Sequence, residues 1–411
     1  MNKVELLLPA GNIEKLEYAI KYGADAVYFG LLDFSLRSLR SGNIISADNI
    51  NHAVNRAHEL GAKAYVTVNI FAHNTDIKNL QENISIIADA KPDAVIFSDF
   101  GIYNILKKEL PNTPLHVSTQ ANTLNFEAVK FWRDLGVSRA ILARELSIQE
   151  IREITKNVPD IEIEAFVHGS MCVSYSGRCL LSDYMTKGNR KSNDGGCSQP
   201  CRWKYKLLEE TRPGEYYEIE ENNKGSYILS PKDMALAEYV PQLIDAGVHS
   251  LKIEGRTKSI YYVSMAARAY RQVVDAHYNK TAIDINNTLY ELSLAGNRGF
   301  SSGFINGKPD DSHYSYTTND SQAGSKFVGM FLEKNENGIK TLMKGKVLIG
   351  ESVQLVTPYE NIDLVLEGVL TEIGDPKDLA NTNDLVTLKF DKEVENWQHG
   401  IIRKLGENYC G

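Results

Sequence analysis

Cysteine is scarce in this sequence of 411 residues, which contains only five. The sequence also lacks an apolar run long enough to cross a bilayer, and the apolar stretch at its start, MNKVELLLPAG, is too short for a secretory signal. We therefore expect a cytoplasmic protein with no membrane anchor, in a compartment that disfavours structural disulfides. Basic residues do not dominate, since the formal net charge is −8. Any RNA contact therefore has to depend on a local basic patch.

One catalytic motif and one cofactor-binding motif are also absent. No HExxH pattern is present to bind a catalytic zinc, and no GxGxxG follows the first predicted strand. These absences count against a zinc metallopeptidase and against a dinucleotide-binding open sheet.

The first 280 residues alternate short apolar runs, typical of buried strands, with segments of helical periodicity. The eight predicted strands are Val4–Pro9, Ala26–Gly30, Lys63–Asn69, Ala94–Asp99, Leu115–Gln120, Arg139–Arg144, Ile161–His168 and Ser250–Glu254. The eight predicted helices are Ile13–Tyr22, Ala47–Leu60, Ile77–Ala90, Ile102–Leu110, Phe126–Leu135, Ile148–Asn157, Lys232–Ala246 and Ser259–His277. This pattern predicts an α/β fold, a parallel TIM-like (β/α)8 barrel over residues 1–280, with an open doubly wound sheet as the alternative.

The rest of the chain differs in pattern. Residues 281–326 are rich in Asn, Gly and Ser but keep aromatic residues, so we expect them to cross the surface of the barrel. Residues 327–411 alternate short strand-like segments with polar turns, which predicts a small C-terminal antiparallel β-barrel domain. Residues 170–229 are predicted to form an insertion after the seventh strand, with a hairpin around residues 212–214.

Four of the five cysteines, Cys172, Cys179, Cys197 and Cys201, lie in this insertion with the spacing Cys-x6-Cys-x17-Cys-x3-Cys. Four thiolates hold either zinc or an iron–sulfur cluster. Zinc sites favour cysteine pairs with two to four residues between them, so the six-residue gap favours a [4Fe–4S] cluster, with structural cysteines that bind no metal as the alternative. Because barrel enzymes carry their chemistry at the carboxyl ends of the strands, we predict this centre at the barrel mouth.

Polar residues near the predicted strand ends are candidates for lining a pocket at the same mouth. These residues are Asn69, Gln120, His168, Glu254 and Arg256. Strand alternation places His168 on the interior face of the seventh strand, beside the cysteine insertion, which makes it the best acid–base candidate. The alternative is a paired polar network that only fixes the barrel.

Three arginines also follow strand ends, where a guanidinium group can clamp a carboxylate or a phosphate. They are Arg37, Arg144 and Arg256, and Glu145 beside Arg144 favours a surface salt bridge for that residue. In the insertion, basic residues alternate with aromatic ones, a composition that suits single-stranded RNA, although a solvated face is an equal alternative. The residues concerned are Tyr184, Lys187, Arg190, Lys191, Arg202, Trp203, Lys204, Tyr205 and Lys206.

Several motifs resemble those of the collagenase-like peptidase family U32. They are PAGN at 9–12, DAVYFG at 25–30, EAFVHGSMCVSYSGRCLLS at 164–182, LKIEGR at 251–256 and NRGFSSGF at 297–304. The resemblance implies oxygen-independent hydroxylases of tRNA wobble uridine, ribosomal RNA cytidine or the ubiquinone ring, with a [4Fe–4S] cluster held by Cys172, Cys179, Cys197 and Cys201. The GCSQPCR ending and the β-domain resemble the branch that forms 5-hydroxyuridine in tRNA, for which prephenate is implied as the hydroxyl donor.

We therefore hypothesise a tRNA uridine hydroxylase that binds the anticodon loop. Arg37 and Arg256 would bind the carboxylates of the donor, and His168 or Glu254 would move protons. An electron donor or a paralogous subunit is a further candidate partner. A metal-independent peptidase, a hydroxylase of another RNA and a non-catalytic RNA-binding subunit are the alternatives.

Overall fold

The computed structural model describes residues 3–31, 35, 45–172, 174–177, 179–187, 189–190, 193, 197–203, 221–222, 225–226, 231–314 and 323–406. The strands up to residue 301 are β1 (Glu5–Pro9), β2 (Ala26–Gly30), β3 (Lys63–Val68), β4 (Ala94–Phe97), β5 (Leu115–Val117), β6 (Arg139–Ile141), β7 (Glu162–Ser170), β8 (Glu221–Asn222), β9 (Gly225–Ser226), β10 (Asp233–Ala235), β11 (Ser250–Ile253) and β12 (Phe300–Ser301). The helices are α1 (Ile13–Lys21), α2 (Ile50–Glu59), α3 (Asn74–Ala90), α4 (Phe100–Glu109), α5 (Phe126–Asp134), α6 (Ile148–Asn157), α7 (Leu181–Met185), α8 (Val240–Asp245), α9 (Ile260–Asn279) and α10 (Ile285–Leu294).

Eight parallel strands close into a barrel. Strands β1 to β7 pair in sequence order, and β11 pairs with both β7 and β1, which closes the ring. Continuous apolar runs such as Leu6–Leu8 are fully buried because the side chains of one face enter the barrel and those of the other pack under the helices. The predicted TIM-like barrel is therefore confirmed, and all eight predicted strands are present.

One predicted helix is wrong in its first half. The sequence predicts a helix over Lys232–Ala246, but residues 233–235 form β10, which pairs antiparallel with the end of β7. The helix proper, α8, begins only at Val240 because Pro241 suits the first turn of a helix. Strand β12 pairs with β10 and extends the sheet beyond the barrel at this point.

Within the predicted crossing segment, α10 packs on α9, the last helix of the barrel. This helix is not among the predicted ones, although Asp284 is a typical residue for the start of a helix. The Asp284 side chain accepts a hydrogen bond from the Asn287 amide at 3.0 Å. The proposed hairpin around residues 212–214 lies outside the described residues, and so does Cys410.

The C-terminal strands form a second barrel. They are β13 (Ser325–Asn335), β14 (Gly338–Met343), β15 (Val347–Leu348), β16 (Ser352–Val356), β17 (Asn361–Leu370), β18 (Pro376–Lys377), β19 (Leu379–Ala380), β20 (Leu385–Phe390) and β21 (Ile401–Leu405). Six of them close antiparallel in the order β16-β21-β13-β14-β20-β17, since β17 pairs back onto β16. This barrel has its own apolar core, so the predicted antiparallel β-barrel is confirmed.

Buried ionic contacts hold the second barrel against the outer helices of the first. Arg403 of β21, 1% exposed, donates to both carboxylate oxygens of Glu291 on α10 at 2.9 and 3.0 Å. Arg268 of α9 donates to the same carboxylate at 3.0 Å. The Tyr22 hydroxyl donates to the carbonyl of Val356 at 2.9 Å. The contacts of Arg403 and Tyr22 cross from one barrel to the other, so they fix the position of the second barrel on the first.

Among the helices of the described residues, none combines the length and the apolar character that a bilayer span requires.

Candidate active site at the barrel mouth

A cavity of about 460 Å³ opens at the carboxyl ends of the barrel strands. Its polar lining comes from many strands, as expected for a barrel mouth. The lining includes Tyr28, Thr67, Asn69, Ser118, Thr119, Gln120, Arg144, Phe166, Lys252, Glu254 and Arg256. Four of the five residues predicted to line a pocket, Asn69, Gln120, Glu254 and Arg256, therefore share this cavity, which we call the central cavity.

Arg256 is held in place on the wall of the central cavity. Its Nη1 donates to the hydroxyl of Ser35 at 2.6 Å and to that of Thr67 at 3.2 Å, and its side chain is buried. Gly30 makes room for this arrangement, since a Cβ atom there would lie 2.0 Å from the Ser35 hydroxyl and 2.5 Å from Arg256 Nη1. Arg37, the other predicted carboxylate ligand, lies outside the described residues.

Arg144 points into the central cavity, and the expectation of a surface salt bridge with Glu145 is wrong. Its guanidinium group lies over the Phe166 ring, 4.0 Å from the centroid, and donates to the Ser170 carbonyl at 2.8 Å. Its Nη2 lies 3.5 Å from a carboxylate oxygen of Glu254. Glu145 instead accepts hydrogen bonds from the backbone amide and the hydroxyl of Ser176, both at 2.6 Å.

Glu254 is brought to the mouth by a close approach of two strand ends. Gly169, at φ +115°, lies against this residue, and a Cβ atom there would come within 2.6 Å of the Glu254 carbonyl oxygen. Among the described residues that line the central cavity, three carry a cationic group (Arg144, Lys252 and Arg256) and one, Glu254, carries a carboxylate. Guanidinium groups on the wall of a cavity suit the carboxylates of a small organic acid.

A buried ion network forms the floor of the central cavity. Glu164, 0% exposed, accepts from Lys252 Nζ at 2.7 Å and from Arg139 Nη1 at 3.0 Å. Arg139 also donates to Glu5 at 2.6 Å. Burial lowers the pKa of Lys252, and the charge of Glu164 opposes that shift. Burial alone would raise the pKa of Glu5, but the charge of Arg139 and its hydrogen bond lower it overall. Glu162 and Lys63 complete the network at its exposed end, so its described members are three carboxylates and three cations. This part of the interior is therefore a paired polar network.

We expect Glu164→Gln to destabilise the barrel by roughly 3–5 kcal/mol, because it removes the carboxylate that pairs with the buried ammonium group of Lys252. The thermal unfolding midpoint, followed by circular dichroism, should fall by several degrees. In the double variant Glu164→Gln/Lys252→Met both partners are gone, so the midpoint should recover part of the loss. If the fall in the midpoint of the double variant equals the sum of the falls in Glu164→Gln and Lys252→Met, the two residues are not coupled in the way the contacts indicate.

His168 does not enter the barrel, so the predicted orientation of this residue is wrong. The pairing of β7 with β11 skips Val167 at a bulge, which reverses the alternation of side chains beyond it. The His168 ring packs instead among Tyr262, Tyr270 and Phe300, with centroid distances of 5.5 to 5.6 Å. Burial in this aromatic environment lowers the pKa of His168 to about 4.

This environment predicts that His168 stays neutral in the folded protein down to about pH 5. Because the pKa of His168 is lower in the folded protein than its unfolded value of about 6.5, protonation favours unfolding. The stability that the neutral ring contributes is therefore lost as the pH falls from about 6.5 to about 4. The histidine NMR signal that disappears in His168→Gln should not titrate between about pH 7.5 and about pH 5. A signal that titrates near pH 6.5 would show that the ring is solvated.

The four cysteines of the insertion form no disulfide bonds. Three of the sulfur atoms lie near hydrogen-bond donors. The Cys172 Sγ is 3.0 Å from the Ser174 hydroxyl, and the Cys179 and Cys197 sulfurs accept from the amides of Leu181 and Gln199, each at 3.4 Å. Donors of this kind stabilise thiolates that bind metal.

Short contacts join the segments that carry the cysteines. The Ser182 hydroxyl, in the helix after Cys179, accepts from the Ser198 amide at 2.9 Å and therefore connects to the segment of Cys197 and Cys201. Asn193 bonds to both backbone groups of Phe71 at the mouth, at 2.8 and 2.9 Å.

Within the part of the chain that the structure describes, no three His, Cys, Asp or Glu side chains are placed to share one metal ion. In an iron–sulfur cluster each thiolate binds its own iron, and a donor set of four cysteines, three of them beside hydrogen-bond donors, fits that group.

The predicted basic and aromatic surface is described only in part. Tyr184 is 81% exposed and Trp203 41%, and Lys187 and Arg190 are also exposed. Lys191, Lys204, Tyr205 and Lys206, as well as the side chain of Arg202, lie outside the description.

Residues 299–303, GFSSG, match the GxSxG spacing of a serine-hydrolase elbow. In that motif the serine lies on a turn from a strand into a helix. Here Ser301 ends β12, turns follow it, and its hydroxyl accepts from the Gly303 amide at 3.4 Å. The local structure is therefore not that of a nucleophile elbow.

Comparison with known proteins supports the resemblance seen in the motifs. The chain is 38% identical over 424 residues to the tRNA hydroxylation protein P of Escherichia coli, with 92% of each chain covered. It is 41% identical over 314 residues to the protein of the same name from Helicobacter pylori, which covers 75% of this chain and 73% of the relative. It is 32% identical over 320 residues to a collagenase of Porphyromonas gingivalis, with 75% of each chain covered. The profile of peptidase family U32 matches residues 11–315, so the chain belongs to peptidase family U32.

Proposed function

We propose that this protein hydroxylates carbon 5 of a tRNA wobble uridine without molecular oxygen, with a [4Fe–4S] cluster and with prephenate as the hydroxyl donor. The observation that carries the proposal is the cationic central cavity next to the cysteine segment, in a chain that resembles proteins named for tRNA hydroxylation over 92% of its length.

The donor would occupy the central cavity. Prephenate carries two carboxylates, and Arg144 and Arg256 provide guanidinium groups to bind them. Glu254, whose carboxylate lies 3.5 Å from Arg144 Nη2, is the group in this cavity that would take up or release a proton at the reacting group. His168 is the weaker candidate for that role, because it packs among aromatic rings away from the cavity.

The exchange balances without oxygen gas. A C–H bond of uracil becomes C–OH, which removes two electrons from the ring, and the C–OH bond of the donor becomes C–H, which accepts them. Cys172, Cys179, Cys197 and Cys201 would hold the cluster, and a cluster with four cysteine ligands supplies electron transfer when bound.

The RNA would be held at the mouth by the insertion. Exposed Tyr184 and Trp203 can stack on unpaired bases, and Lys187 and Arg190 can approach phosphates. Anticodon bases are already unpaired, so moving one of them into a cavity costs little.

Nucleoside analysis of tRNA from a strain that lacks this gene tests the proposal. We expect 5-hydroxyuridine and the nucleosides derived from it to disappear and to return when the gene is restored. If they persist in a strain from which any paralogue has also been removed, the proposed function is wrong.

The likeness to a collagenase favours one other function, a peptidase. A peptidase that needs no metal should cleave peptides equally well after all four cysteines are replaced by serine, whereas a cluster-dependent hydroxylase should lose its activity.

An assay of tRNA hydroxylation by the chain purified by itself distinguishes an enzyme from an RNA-binding subunit that needs a partner.

A further inference from the structure

A second cavity, of about 500 Å³, borders Cys172 and is separate from the central cavity. Its walls come from the segment after β7 and from the residues around β12. The consecutive residues Arg144 and Glu145 line different cavities, Arg144 the central one and Glu145 the second. The two cavities therefore adjoin at the carboxyl end of β6.

We propose that the second cavity binds the pyrimidine ring of the RNA substrate, while the central cavity binds only the small acid. The inference rests on the proposed function and deepens it, because it divides the two substrates between two sites.

The aromatic rings of the central cavity are not open to a base. The guanidinium group of Arg144 lies over the Phe166 ring at 4.0 Å, and the ammonium group of Lys252 lies over the Tyr28 ring at 4.4 Å. Both rings are buried. A base that stacked on either face would have to displace a cation that already interacts with the ring.

The second cavity has the groups that a nucleotide needs. Tyr175, Phe304 and Tyr314 contribute aromatic surface, and Tyr175 is 52% exposed, so its ring is accessible for stacking. Lys232 contributes an ammonium group that can approach a phosphate.

A polar edge of this cavity is held in a fixed orientation. The His313 ring lies between Asp310 and Ser302, with Nδ1 3.0 Å from the Asp310 carboxylate and Nε2 3.2 Å from the Ser302 hydroxyl. Ser301 lies beside it on the lining. A flipped pyrimidine would find hydrogen-bonding groups here and would lie against the segment of Cys172.

Photocrosslinking tests the division directly. The wild-type protein is mixed with an anticodon stem-loop that carries 5-iodouridine at the wobble position, irradiated, digested and examined by mass spectrometry. We expect the crosslink on Tyr175, Phe304 or Tyr314. A crosslink on Tyr28 or Phe166, or none while the RNA is bound, would overturn the inference and leave the proposed function intact. If the protein never hydroxylates unsubstituted RNA, both the proposed function and this inference are wrong.

A matched pair of variants gives a second readout. Tyr175→Leu should raise the KM for tRNA roughly 5- to 100-fold, the usual effect of losing one stacked base, and leave the KM for the acid unchanged. Phe131→Leu, at a ring on α5 that is 51% exposed, should change neither constant. A rise in the KM for the acid in Tyr175→Leu, or an unchanged KM for tRNA, would contradict the assignment.

Discussion

Serine in place of Cys197 is expected to remove the iron and the tRNA hydroxylation together. Loss of a supporting hydrogen bond at a metal centre already costs roughly 10- to 100-fold in affinity or activity, and loss of a ligand should cost more. The measurement is the rate of 5-hydroxyuridine formation by protein purified without oxygen, together with its iron content.

The fifth cysteine offers a matched control for this prediction. Cys410 lies far outside the tetrad in sequence, so Cys410→Ser should keep both the iron and the activity. If Cys197→Ser is as active as Cys410→Ser, the tetrad does not serve the reaction.

Glutamine in place of Arg256 is expected to weaken the use of the acidic donor strongly. Arg256 lines the central cavity with its guanidinium fixed by Ser35 and Thr67. Losing one charge-assisted hydrogen bond costs about 1.5–3 kcal/mol, which corresponds to roughly 10- to 150-fold in kcat/KM for the donor. Arg256→Lys keeps the positive charge but not the planar guanidinium group, so its kcat/KM for the donor should lie between those of the wild-type protein and Arg256→Gln.

Controls make the Arg256 result specific. The KM for tRNA should stay unchanged in Arg256→Gln, since the RNA is expected in the other cavity. Arg152→Gln, at an exposed arginine of α6, should alter neither substrate constant. An unchanged KM and kcat for the donor in Arg256→Gln would show that the central cavity does not bind it.

Most of the barrel could be predicted from the sequence because local patterns determine it. Several strands, such as β1, β2 and β4, are short, mainly apolar runs that are largely buried. Several helices begin at side chains that accept a hydrogen bond from the first turn, such as Asn12 and Ser147. The polar ends of these strands also predicted four of the residues that line the central cavity.

The remaining features depend on contacts between distant parts of the chain. The bulge at Val167 arises where β7 pairs with both β10 and β11, and no local signal in β7 shows that His168 turns outward. Arg144 reaches the cavity because the Ser170 carbonyl and the Phe166 ring hold it there, although Glu145 is nearer in sequence. Likewise, the contacts of residues 233–235 with the end of β7 override a helical pattern.

We propose that four cysteines at the mouth of the barrel hold one iron–sulfur cluster on which hydroxylation depends. The most direct test is the iron and acid-labile sulfide content of the chain purified without oxygen. We predict about four iron and four sulfide ions per chain, in a preparation that hydroxylates tRNA. A preparation without iron and sulfide that forms 5-hydroxyuridine at the same rate would contradict the claim.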